Sequence, residues 1–148
     1  MQNDQATTDV QEETRRPAFF TLMSVLFTLL AISNATKILQ IADDDPISGF
    51  VLFGNRFYDP MANLLLGLPF AALLATYAFG LWKMKKWVAW IAVPYAFYVP
   101  TNLTLFWFFQ PADNLPPVAF ILAYLFLAIG GSVGTGLYVM RNYDRLKD

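Results

Sequence analysis

Neither cysteine nor histidine occurs among the 148 residues. Without thiols there is no disulfide framework, and without thiolate or imidazole the ordinary zinc sites and histidine-ligated haem are excluded. The side chain whose unperturbed pKa lies nearest neutrality is also missing, so a general base would have to be a strongly shifted carboxylate, lysine or tyrosine. Charge is scarce as well. Only 14% of residues are Asp, Glu, Lys or Arg, against about 25% in an ordinary soluble domain. The formal net charge of −1 offers no clustered basic face for nucleic acid. These absences point to a protein that is not an enzyme and holds no cofactor or metal. The residual catalytic reading is a lipid-modifying enzyme using Lys37 or Asp43, Asp44 and Asp45.

What the chain has in abundance is apolar sequence, 57% by composition. It falls into four runs, residues 17–41, 61–82, 87–109 and 117–140. Each has the ~17–25 residues a helix needs to cross a hydrocarbon core about 30 Å thick. The expected fold is all-α: a polytopic membrane protein whose single domain, residues 17–140, is an antiparallel bundle of four transmembrane helices. A polar cytoplasmic tail (residues 1–16) precedes it, and a basic cytoplasmic tail (residues 141–148) follows. The first run resembles a cleavable signal peptide in its Arg15-Arg16 start, but apolar residues continue through Ile41 and complete a span.

Eight of the ten basic residues sit at one set of span ends: Arg15, Arg16, Lys83, Lys85, Lys86, Arg141, Arg145 and Lys147. Counting acids, that side carries +2 and the other −3. Basic residues stay cytoplasmic during insertion, so both termini are expected inside, in the plasma (inner) membrane. Trp82, Trp87 and Trp90 mark the inner boundary, and Tyr58, Trp107 and Phe109 the outer one. The lipid bilayer is the first partner, with other membrane proteins or self-association beyond it.

Residues 42–60 connect the first two spans outside the membrane. Ile47, Phe50, Val51, Leu52, Phe53, Phe57 and Tyr58 make this loop unusually apolar, as expected of a segment lying in the interface or folding over the bundle mouth. Its three consecutive aspartates lack the glycine and terminal glutamate of a calcium loop and read as a helix stop.

Two features are candidates for function. Tyr95, Tyr98 and Asn102 recur at i, i+3 and i+7 on one face of the third span, and Lys37 is the one charge inside a span, close enough to its end to snorkel. They would line a channel, a carrier pathway or a pocket for an apolar ligand. The other feature is small residues. Gly130 with Gly134, and Ser132 with Gly136, are small-xxx-small pairs on the fourth span that allow close helix contact. Thr21, Ser24, Thr28, Ala31 and Ala35 form a comparable seam on the first. A non-catalytic accessory, assembly or interaction subunit, packing through these faces, is the leading expectation; the channel or carrier is the alternative.

Overall fold

The computed structural model describes residues 16–36, 39, 49–109 and 118–148. Four long helices carry the described fold: α1 (Ala18–Ala35), α2 (Pro60–Lys83), α3 (Ala89–Phe109) and α4 (Val118–Arg141). Three segments are long and apolar enough to cross a membrane: Ala18–Ala35, Pro60–Lys83 and Ile121–Arg141. The protein is accordingly membrane-embedded and mostly helical. Helix α3, 21 residues without a charged side chain and with Pro94 and Pro100 inside it, is not among these three.

Local chemistry sets the helix ends. Asp59 caps α2, its Oδ2 accepting from the Ala62 N–H at 2.7 Å, and Pro60 occupies the first turn, where an imino nitrogen loses nothing. Met84 ends α2 in the left-handed region. A single 3-10 turn, Lys86–Val88, then reverses the chain into α3.

The helices associate as two antiparallel pairs, α1 with α2 and α3 with α4, whose backbones approach closely. Small side chains make this possible. Along α1–α2, Ala31 and Ala71 are both buried, the buried Ser24 hydroxyl donates to the Ala78 carbonyl at 2.7 Å, and a methyl group on Gly67 would stand 3.0 Å from the Asn34 carbonyl oxygen. Across α3–α4 the contact is Gly136 against Ala92 and Ala96. Large rings fill the space between the pairs. Phe27, Tyr77 and Tyr95, from three different helices, lie 4.4 to 5.8 Å apart by ring centroid, and Tyr138 of α4 meets Phe19 and Phe20 of α1. Such ring pairs contribute about 0.5–1.5 kcal/mol beyond their buried area.

One element departs from the all-α expectation. Residues 50–57 form a β-hairpin, β1 (Phe50–Leu52) with β2 (Asn55–Phe57), antiparallel in the register Phe50↔Phe57, Val51↔Arg56 and Leu52↔Asn55. The two-residue turn Phe53-Gly54 has φ of 46° and 79°. Positive φ at both central positions defines the primed turn that matches strand twist. The flanking Phe, Val and Leu suit a pleated surface better than a loop.

The opposite end of the bundle is closed by the residues expected as a basic tail. After α4 a 3-10 turn, Tyr143–Arg145, brings Leu146 into the core. The Lys147 N–H donates to Met84 O at 2.7 Å and the Lys86 N–H to Lys147 O at 2.8 Å, a parallel bridge onto the α2–α3 turn. Lys86 Nζ pairs with Asp148 at 2.9 Å, and Lys85 Nζ donates to the Asp148 main-chain oxygen. The hydrogen bond and charge of Asp148 hold the Lys86 ammonium above its ordinary pKa. The ion pair is exposed, so Leu146 and the two main-chain bonds anchor the strap. Leu146→Asp is therefore expected to free residues 142–148, seen as faster tryptic cleavage at Arg145 and Lys147 with helix content unchanged. Lys86→Gln should change the cleavage rate by no more than about fivefold, since water screens an exposed pair.

Candidate functional site

At the hairpin end, side-chain amides from two helices bond to the hairpin backbone. Two asparagines, one from each of two helices, seat the hairpin. Asn63 on α2 is 1% exposed. Its Oδ1 accepts from the Phe50 N–H, and its Nδ2 donates to the carbonyls of Phe57 at 2.6 Å and Asp59 at 2.8 Å. Asn102 on α3 grips the turn: Oδ1 accepts from the Gly54 N–H at 3.0 Å and Nδ2 donates weakly to Val51 O at 3.4 Å. A carboxamide suits both places because it offers a donor and an acceptor without charge. At Gly54 a Cβ would lie 2.5 Å from the Leu105 carbonyl carbon. The turn thus rests directly on the α3 backbone.

Beneath the hairpin runs a continuous column of rings. Phe50 stacks edge-on to Phe70 at 5.3 Å and Phe53 to Tyr98 at 5.8 Å; Phe70 meets Tyr98 and Tyr95, and Tyr95 meets Tyr77. The Tyr77 hydroxyl, in a side chain with no solvent exposure, has no hydrogen-bond partner among the described residues. Arg56 of β2 lays its guanidinium over the Phe106 ring, 5.1 Å from the centroid.

The sequence-predicted residues divide accordingly. Tyr95 and Tyr98 do stand together with Asn102 on one side of α3, but they lie in the ring column while the Asn102 carboxamide is engaged by the hairpin. Lys37, and with it Asp43, Asp44 and Asp45, lies outside the described residues. On α4, Gly136 packs on α3, and the Ser132 hydroxyl is buried and donates to its own helix at Ala128 O, 2.7 Å away. A Cβ on Gly130 or Gly134 would meet nothing within 4 Å. Those two glycines share their face with Leu127 and Phe126, the latter 80% exposed. Sequence reasoning missed Asn63 and Arg56. A lone carboxamide four residues into an apolar helix, after a proline start, was the available signal for the first.

Two grooves mark the outer surfaces of the helix pairs. One, of about 410 Å³, lies between α1 and α2 and is lined by Ser24, Thr28, Ala75, Ala78, Phe79 and Trp82 among others. The second, about 460 Å³, lies between α3 and α4 around Ala96, Pro100, Val133 and Gly136. Both are overwhelmingly apolar. No protein-family profile, no curated protein and no solved structure matches this chain.

Proposed function

We propose that this protein is a non-catalytic membrane subunit that docks a further transmembrane helix on the exposed small-residue face of α4. The observation carrying this reading is the contrast within one helix: Gly136 is filled by α3, whereas Gly130 and Gly134 face away from every other described part of the chain. Small residues in lipid gain contact only when a second backbone approaches them. The rest of the architecture suits a rigid platform, with the hairpin seated at one end and the C-terminal strap at the other.

The same reading makes α3 a fourth span. Its 21 residues hold no charge, and it packs antiparallel along α4. Arg16, Lys83, Lys85, Lys86, Arg141, Arg145 and Lys147 then lie at the strap end, which the positive-inside rule assigns to the cytoplasm of a plasma (inner) membrane. A pathway through Tyr95, Tyr98 and Asn102 has less behind it. Opening one there would require breaking the hairpin's bond to Asn102 and parting the ring column.

The absence of cysteine makes the test clean. Gly130→Cys and Gly134→Cys, each labelled in native membranes with a benzophenone maleimide and irradiated, are expected to give a discrete protein adduct. Gly136→Cys should give none. If Gly130 and Gly134 yield only uncrosslinked monomer, the docking function is wrong.

A further inference from the structure

The α1–α2 groove differs from a bare apolar surface in three respects. Its floor is made of short side chains, Ala75, Ala78, Ser24 and Thr28, while Phe79 and Trp82 stand along it as a wall. The two floor hydroxyls are already used, Ser24 donating to Ala78 O at 2.7 Å and Thr28 to Ser24 O at 2.8 Å, so neither leaves a free donor for a polar ligand. From Ala75 to Trp82 the groove runs about 10 Å along the helix axis, at 1.5 Å per residue. At its Trp82 end stands a cation: the Arg16 guanidinium lies over the indole, 3.9 Å from the ring centroid. An indole and a guanidinium side by side at the end of an apolar span are placed at headgroup depth.

We propose that this groove is a binding site for one anionic phospholipid. An acyl chain lies along Ala75, Ala78 and Thr28, and the headgroup phosphate meets Arg16 at the Trp82 end. The shape selects hydrocarbon, because the floor is apolar and its hydroxyls are satisfied. The charge selects the headgroup: guanidinium matches phosphate geometry through paired N–H donors. Stacking on Trp82 holds Arg16 at the groove mouth and leaves its N–H edges free to reach the phosphate. A helix from another protein would fill the same space without needing a cation at its mouth. The proposal depends on membrane embedding and not on the docking role of α4.

Native mass spectrometry of the purified chain with equal amounts of dioleoyl phosphatidylglycerol and dioleoyl phosphatidylcholine tests it. Wild type should retain one phosphatidylglycerol in preference to phosphatidylcholine by about fivefold, the effect of one interfacial cation. Arg16→Gln should reduce that ratio to near unity. Arg141→Gln, at the same end but off the groove, should leave it unchanged. Ala75→Phe fills the floor and should remove the retained lipid altogether, whereas Leu73→Phe, exposed on another face of α2, should not. Should Ala75→Phe fail to insert, Leu29→Trp occupies the same space from α1, where Leu29 lines the groove. The proposal is overturned if wild type retains no phosphatidylglycerol, if Arg141→Gln acts as strongly as Arg16→Gln, if both groove-filling variants keep the lipid, or if the mass retained is protein.

Discussion

Asn63→Leu is expected to unseat the β1–β2 hairpin while leaving the four helices folded, with exchange of the Phe50 amide accelerated about a thousandfold. Leucine keeps asparagine's branching at Cγ and its number of side-chain heavy atoms, so the change chiefly removes bonding. It strips the side-chain partner from the Phe50 N–H and from the Phe57 carbonyl, while the Asp59 carbonyl keeps the main-chain N–H of residue 63. Each buried bond lost in this way costs about 1–3 kcal/mol, so the two together cost about 2–6 kcal/mol, a range that spans a thousandfold. The hairpin can limit that loss by lifting off into water, an opening of one unit and not of the molecule. Hydrogen exchange resolved by residue, with far-UV circular dichroism as control, reads both halves of the result. Asn102→Leu should act in the same direction but only severalfold, because it loses one good bond and one long one at a half-buried site. Gly54→Ala approaches the Asn63 variant from the other side. Its methyl group would stand 2.5 Å from the Leu105 carbonyl carbon at a φ of 79°, so the turn cannot sit where it does. Unaltered exchange at Phe50 in Asn63→Leu would mean that the ring contacts alone hold the hairpin.

The helices were legible because one physical quantity, apolar length, decides them. Residues 61–82 were expected as a span and Pro60–Lys83 is observed; the Asp59-Pro60 cap accounts for the earlier start. The α1 seam was legible for a related reason. Ser24 and Ala31 recur at helical spacing, and a seam of small residues in lipid is useful only against another backbone. The hairpin was not legible as such. Its strands are three residues each, too short for alternation to stand out, and the Phe at a positive-φ turn position is not the asparagine or aspartate that usually marks one. For Asn102, spacing gives its face of α3 and not the backbone that comes to meet it from residues 51–54. Leu146 was overlooked because a single apolar residue among charges has no period. Its burial follows from the main-chain bonds of Lys147 to Met84 and Lys86, which sequence does not display.

The glycines of α4 carry the remaining large effect, and they should split. Gly130, Gly134 and Gly136 lie within two turns of one helix, yet successive residues rotate by about 100°, so small-xxx-small pairs two residues apart face different neighbours. Which face turns inward is a tertiary outcome. At Gly136 a Cβ would stand 2.9 Å from the Ala96 Cβ and 3.3 Å from the Ala92 carbonyl oxygen. Alanine there requires α3 and α4 to give by a few tenths of an ångström; leucine requires them to separate. Overpacking of this kind costs about 1–3 kcal/mol where side chains can yield, and a backbone carbonyl yields less. Gly136→Leu is therefore expected to lower the midpoint of unfolding by sodium dodecyl sulfate in bicelles by an amount equivalent to at least ~3 kcal/mol. The Cβ of Gly134→Leu enters open space and leucine is the better helix former, so the isolated chain should be unchanged or up to about 1 kcal/mol more stable. The same Gly134→Leu substitution, made in a Gly130→Cys background, should abolish the benzophenone adduct formed at position 130 in native membranes, because the partner backbone can no longer approach. Loss of stability in Gly134→Leu would place that face inside the fold. A stable Gly134→Leu chain that still crosslinks from position 130 would remove α4 as the docking surface.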